Sequence, residues 1–221
     1  MIVPFLEMIV LIIILLILWL LFGGGTTRSG ATVFVSSATY DGNFGSGQIT
    51  LGHLGADARC QELADAAGLA GTYKAWISGR VDTGDDTLDQ GVVDRFTQSA
   101  LPYRLVNGTQ VADDWADLTD GTLDHAINLT EAGNPVDDSA RAWTNTTAGG
   151  TAWDNSTTCA QGSSAGQIAS WSCGSPSWSP GDCQFQSGKY GLASSTTSAW
   201  TGTGSSNNSC SSSYHLYCVQ Q

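Results

Sequence analysis

The chain has 221 residues, 27 of them glycine, with 20 acidic against 8 basic side chains and a net charge of −12; its pI is about 4.2. That acidic balance excludes a nucleic-acid partner, which needs a basic face, and disfavours docking on an anionic membrane surface. Six cysteines, all beyond residue 59, form no C-x-x-C pair, and the three histidines stand apart from them; disulfides in an oxidising compartment account for them better than zinc.

An apolar run, Ile2 to Phe22, opens the chain, broken only by Glu7 and closed by Gly23, Gly24 and Gly25. As a helix at ~1.5 Å per residue it would span about 30 Å, the hydrocarbon thickness of a bilayer. No Lys or Arg precedes the run and no A-x-A cleavage pattern follows it, so it reads as a permanent segment. Residues 1–25 are therefore expected to form a long hydrophobic α-helix, 26–31 a small-residue linker, and 32–221 one globular domain. The stretch from Val3 through Glu7 to Leu11, an apolar start with an acid fifth, resembles the mature N-terminus of type IV pilins. That resemblance implies a filament spine in which Glu7 pairs with the terminal ammonium of a neighbouring subunit. The plainer alternative is a membrane anchor. Either way a carboxylate in an apolar helix, costing ~2.5–3.5 kcal/mol near mid-bilayer, is expected to have a partner.

Thr32 to Ser36 alternates β-branched and aromatic residues and predicts a first strand, with a turn at Asp41 to Asn43. Ala56, Cys60, Leu63, Ala64 and Ala67 recur at helical spacing, with Gly68 as the stop. Tyr73 to Ile77 predicts a second strand and Asp82 to Asp86 a polar turn; Val92 to Phe96 reads as a short helix or a turn. Tyr103 to Val106 and Gln110 to Ala112 flank Asn107-Gly108, a strong hairpin signal. From Asp113 to Gly191 the pattern is mostly loop, with Trp115, Trp143, Trp153, Trp171 and Trp178 as anchors. Ala199 to Thr201 and Tyr214 to Val219 are expected as closing strands. One or two helices, several short strands and a long loop give an α+β expectation.

Several segments of this domain resemble C-type-lectin-like domains, and more narrowly a bacterial secreted family with that layout. They are Val33 to Ser37, Gly55 to Gln61 around Cys60, Tyr73 to Ile77, Ala112 to Gly121, and Leu216 to Cys218. The resemblance implies a disulfide-stapled, loop-rich domain whose first and last strands pair. It implies Cys60–Cys218 as the closing bridge, Cys159–Cys210 as a loop bridge and Cys173–Cys183 as a local staple.

The E-P-N, Q-P-D and W-N-D triplets of calcium-dependent lectins do not occur. Asp113, Asp114, Asp117 and Asp120 offer several oxygens from one loop, so they form either a Ca²⁺ site or a turn whose carboxylates cap exposed N–H groups. N-x-S/T triplets start at Asn107, Asn128, Asn145, Asn155 and Asn207 and are candidate glycosylation sites. No G-x-S-x-G elbow or other catalytic constellation stands out, so no enzyme activity is expected. Two functions follow as expectations. One is a structural subunit of an extracellular type IV pilus-like filament, homo-oligomeric through its helix, membrane-inserted before assembly, with the domain displayed for adhesion. The other is a membrane-anchored adhesin recognising a glycan or protein.

Overall fold

The computed structural model describes residues 30–45, 52–82, 87–153, 159, 161–162, 168–172, 187–202 and 205–221. The first strand, β1 (Ala31–Val35), is followed by helix α1 (Gly52–Ala66), β2 (Tyr73–Ala75), and a hairpin of β3 (Gly79–Asp82) and β4 (Thr87–Gln90). Then come α2 (Val92–Arg95), β5 (Tyr103–Leu105), β6 (Gln110–Ala112), α3 (Trp115–Leu118) and β7 (Arg141–Trp143). The chain closes through β8 (Gln161–Gly162), β9 (Ile168–Ala169), β10 (Ser187–Leu192), a 3₁₀ turn (Ser198–Trp200), β11 (Asn207–Ser209) and β12 (His215–Gln220). Eight strands form one mixed sheet in the order β11-β10-β7-β12-β1-β5-β6, with β2 also paired to β12; β4-β3-β9-β8 form a second, four-stranded sheet.

The α+β expectation is corrected by this architecture. Among the described residues the fold is sheet-dominated, with α1 the only helix longer than four residues. Strands β7 and β10 lie within the span expected to be loop, and both belong to the main sheet. Their physical signature is faint: β7 is three residues, and β10 carries Gly188 and Gly191. Those glycines are there for space, since a Cβ on Gly191 would lie 1.7 Å from the Trp200 carbonyl oxygen. The strand expected at Ala199 to Thr201 is the 3₁₀ turn, N-capped by Thr197, whose hydroxyl accepts from the Ala199 N–H. The long N-terminal helix expected over 1–25 lies outside the described residues. Among those that are described, no helix is long and apolar enough to cross a membrane.

The sheet buries both faces, and side-chain alternation along β1 and β12 divides two cores. Val33, Val35, Tyr217 and Val219 point into a cluster with Trp76, Tyr103, Leu105 and Trp200. Phe34, Leu216 and Cys218 point the other way, toward Ala56, Cys60 and Ala64 of α1 and the rings of Trp143 and Trp171. The small residues at helical spacing on α1 let it lie close on β2 and β12, where Cys60 bonds to Cys218. The helix stops where expected: Gly68 sits at φ +70° and Leu69 N–H donates to the Ala64 carbonyl.

A buried polar seam joins the two cores. Trp76 Nε1 donates to Thr201 Oγ1 at 2.8 Å, Thr201 Oγ1 donates to the Thr146 carbonyl at 2.9 Å, and Thr144 Oγ1 donates to the Thr201 carbonyl at 2.6 Å. Trp171 Nε1 donates to the Ser78 carbonyl at 2.9 Å, and Ser78 and Thr146 share a hydroxyl bond at 2.8 Å. Each of these groups is buried, so each unmade bond would cost ~1–3 kcal/mol of desolvation. Trp143 and Trp171 are buried anchors as expected and Trp115 packs against the first core, whereas Trp153 is 37% exposed with Lys189 Nζ 4.9 Å from its ring centre. Trp178 lies outside the described residues.

Candidate functional site

The acidic loop is knitted to its own backbone. Asp114 N-caps α3 by accepting from the Asp117 N–H at 3.0 Å, and Asp117 reaches back to accept from the Asp113 N–H at 2.7 Å, much as a capping box does. Asp113 accepts from Gln110 Nε2 at 2.6 Å. Asp120 accepts from the Thr122 N–H at 2.8 Å and hydroxyl at 2.9 Å, bonds that hold its carboxyl below the ordinary value. The four carboxylates thus sit around both ends of one helical turn, each engaged by a nearby donor. Among the described residues no group of three or more His, Cys, Asp or Glu is placed to hold a metal ion.

A second cluster joins α1, α2 and β2. Asp57 forms a two-pronged ion pair with Arg95 Nη2 at 2.7 and 2.8 Å and accepts from the Ala75 N–H at 2.9 Å. The two side chains are 14% and 7% exposed. Arg95 also donates to the Ile77 carbonyl, and Lys74 donates to the Arg95 carbonyl. His53, one turn before Asp57 on α1, is buried beside them. Burial first, then the Arg95 and Lys74 charges, push its imidazole down to about 3, so it is neutral at ordinary pH. The arrangement locks the helix to the sheet.

The two ends of the main sheet differ in kind. Val33 pairs with Val219 and the Thr32 N–H donates to Gln220 Oε1, so the chain enters the domain beside its last residues. A shallow cavity of about 250 Å³ there is lined by Gly30, Ala31, Thr97, Ser99, Gln220 and Gln221. At the opposite end Tyr40 bridges Tyr214, and the Cys159–Cys210 disulfide fastens the loops. Register brings together side chains far apart in sequence: β7 pairs Trp143 with Tyr190 and Arg141 with Leu192, while Ala142 lies opposite His215. The Arg141 guanidinium accordingly lies 4.7 Å from the Tyr190 ring centre and 5.7 Å from that of Tyr214. Its Nη1 donates to Tyr214 Oη at 3.0 Å, and Asn208 Nδ2 donates to the same oxygen. Sequence reading missed this cluster because residues 141, 190, 208 and 214 carry no local spacing; strand pairing alone assembles it.

The candidate glycosylation asparagines divide by exposure. Asn107 and Asn207 are exposed, although Asn207 Oδ1 accepts from Lys189 Nζ at 3.0 Å. Asn128 is half-buried, and Asn145 is fully buried at φ +45° with its amide against the Ser78 carbonyl, where no glycan fits. Glu7, Asn155, Cys173 and Cys183 lie outside the described residues. Cys60–Cys218 and Cys159–Cys210 are disulfides, separated in sequence by 158 and 51 residues. Two such bridges are compatible with an extracellular protein. No protein-family model matches this chain, and no curated protein matches it.

Proposed function

We propose that this chain is a structural subunit of an extracellular filament of the type IV pilus kind. Copies associate through the apolar segment Ile2 to Phe22, which resides in the membrane before assembly, and the domains are carried on the outside. The observation that carries the reading is the apolar run interrupted only by Glu7 and set directly ahead of a disulfide-stapled domain. A surface apolar all round has to be covered by lipid or protein, at ~25 cal/mol per Å² removed from water. Burying Glu7 among copies is favourable only with a cationic partner, and a neighbour's terminal ammonium is the group available in such a bundle.

The domain's geometry supports display. The chain enters beside Gln220 and Gln221, leaving the Tyr40–Tyr214 end of the sheet pointing away from the attachment. We read the domain as C-type-lectin-like from its sequence segments, and the antiparallel pairing of β1 with β12 and the bridge from α1 to the last strand are consistent with that reading. Replacement of Glu7 by Leu tests the reading. We expect the variant to insert into membranes but to lose assembly, read as loss of the pelletable fraction once detergent is removed. Unimpaired assembly of Glu7→Leu would remove the ion pair from the account, whereas failure of the unaltered chain to assemble would leave an anchored surface adhesin as the better description.

A further inference from the structure

The Arg141 cluster presents more donors than its one phenolic oxygen accepts. An arginine has five N–H groups and no acceptor, and only Nη1 is bonded, to Tyr214, among the described residues. That hydroxyl oxygen takes two hydrogen bonds, from Arg141 and from Asn208, which fills both of its accepting positions. Its own O–H is a further donor beside the remaining guanidinium N–H groups. The guanidinium carbon lies over the Tyr190 ring, 4.7 Å from its centre, a cation–π contact that helps hold it in place. Among the described residues no carboxylate is paired with Arg141, in a chain with 20 of them. An arginine stacked on an aromatic ring with its edge free is built for two-point recognition of a carboxylate.

The geometry points to a binding site for a sugar acid, a pyranose bearing one carboxylate, at Arg141, Tyr190, Tyr214 and Asn208. Three observations narrow the ligand from any anion to this class. The net charge of −12 repels polyanions, so a single carboxylate on a neutral body is favoured. Strand β7 is paired on both sides, with β10 and β12, so a peptide cannot add a strand directly beside Arg141. Tyr190 and Tyr214, both half-buried with ring centres 5.3 Å apart, set aromatic carbon and hydroxyls beside the guanidinium, which suits the C–H groups and hydroxyls of a pyranose. The site lies at the end of the sheet away from the chain's point of attachment, and it does not depend on whether the protein forms filaments.

The test is titration of the full-length chain in zwitterionic detergent with methyl β-glucuronide and methyl β-glucoside, followed by ligand-observed NMR. The two probes differ only in the carboxylate. We expect the glucuronide to bind at least about tenfold more tightly, the ratio carried by one charge-assisted hydrogen bond. Arg141→Gln should abolish the ratio and Arg141→Lys should keep part of it. Equal or undetectable binding of both probes by the wild-type chain overturns the site. So does a ratio that survives in Arg141→Gln with its near-UV circular dichroism intact. Binding of acetate or N-acetylglycylglycine as tight as the glucuronide overturns the sugar assignment in favour of a simple or peptide carboxylate. Should Arg141→Gln fail to fold, Tyr190→Leu takes its place, with an unchanged ratio counting against the proposal.

Discussion

His53 supplies the sharpest prediction about stability. It is 5% exposed, at the start of α1, with Arg95 and Lys74 facing it and its imidazole held down to about 3 against an ordinary 6.5. Between those two values the unfolded chain binds a proton that the folded chain refuses, so stability falls as pH falls through that window. The slope approaches ~1.4 kcal/mol per pH unit, and integration from neutral pH gives a loss of about 2 kcal/mol by pH 5 from this one group. Urea unfolding of the wild type and of His53→Gln at intervals from pH 7 to 5 isolates the effect. The comparison is of slopes, so any fixed cost of the substitution cancels. We expect the variant to be flatter by about 2 kcal/mol across the interval; identical slopes would refute the argument that this imidazole is buried neutral beside two cations.

Four further perturbations test the packing. Asp57→Ala strands the 7%-exposed Arg95 guanidinium and should cost ~3–5 kcal/mol in urea unfolding, while Asp57→Leu combined with Arg95→Met should recover most of it. Replacing Cys60 and Cys218 together by Ala opens a loop of 158 residues' separation and should cost ~5 kcal/mol on the chain-entropy account; a loss under ~1 kcal/mol would show that the strand pairing alone closes the domain. Gly191→Ala places a Cβ 1.7 Å from the Trp200 carbonyl oxygen, which is backbone and cannot swing away, so ~1–3 kcal/mol or more is expected. Gly68→Ala meets nothing within 4 Å and should cost only the ~1 kcal/mol of its left-handed conformation; equal losses at the two glycines would discount the close approach.

What could be read from the sequence was what has a local signature. Strands β1 and β12 are short runs of β-branched and aromatic residues, α1 repeats small residues every fourth position, and Asn107-Gly108 makes its hairpin with Gly108 at φ +88°. Strands β7 and β10 left no such trace, because three residues carry no period and glycines replace the side chains that would signal a strand. The acidic loop was readable as a cluster but not as a set of caps, since the difference lies in which N–H groups the folded backbone points at each carboxylate. His53 and Asp57 share a helical face, yet their partner Arg95 arrives 38 residues later, through the packing of α2. The Arg141 cluster spans 73 residues between its arginine and Tyr214 and exists only once three strands are in register.

Assembly is the claim that most of the functional account depends on, and electron microscopy of the full-length chain after detergent removal addresses it directly. The account predicts regular fibres with helical symmetry, their cores formed by the apolar segment and their surfaces by the disulfide-stapled domains. Discrete particles that stay dispersed only while detergent is present would contradict it.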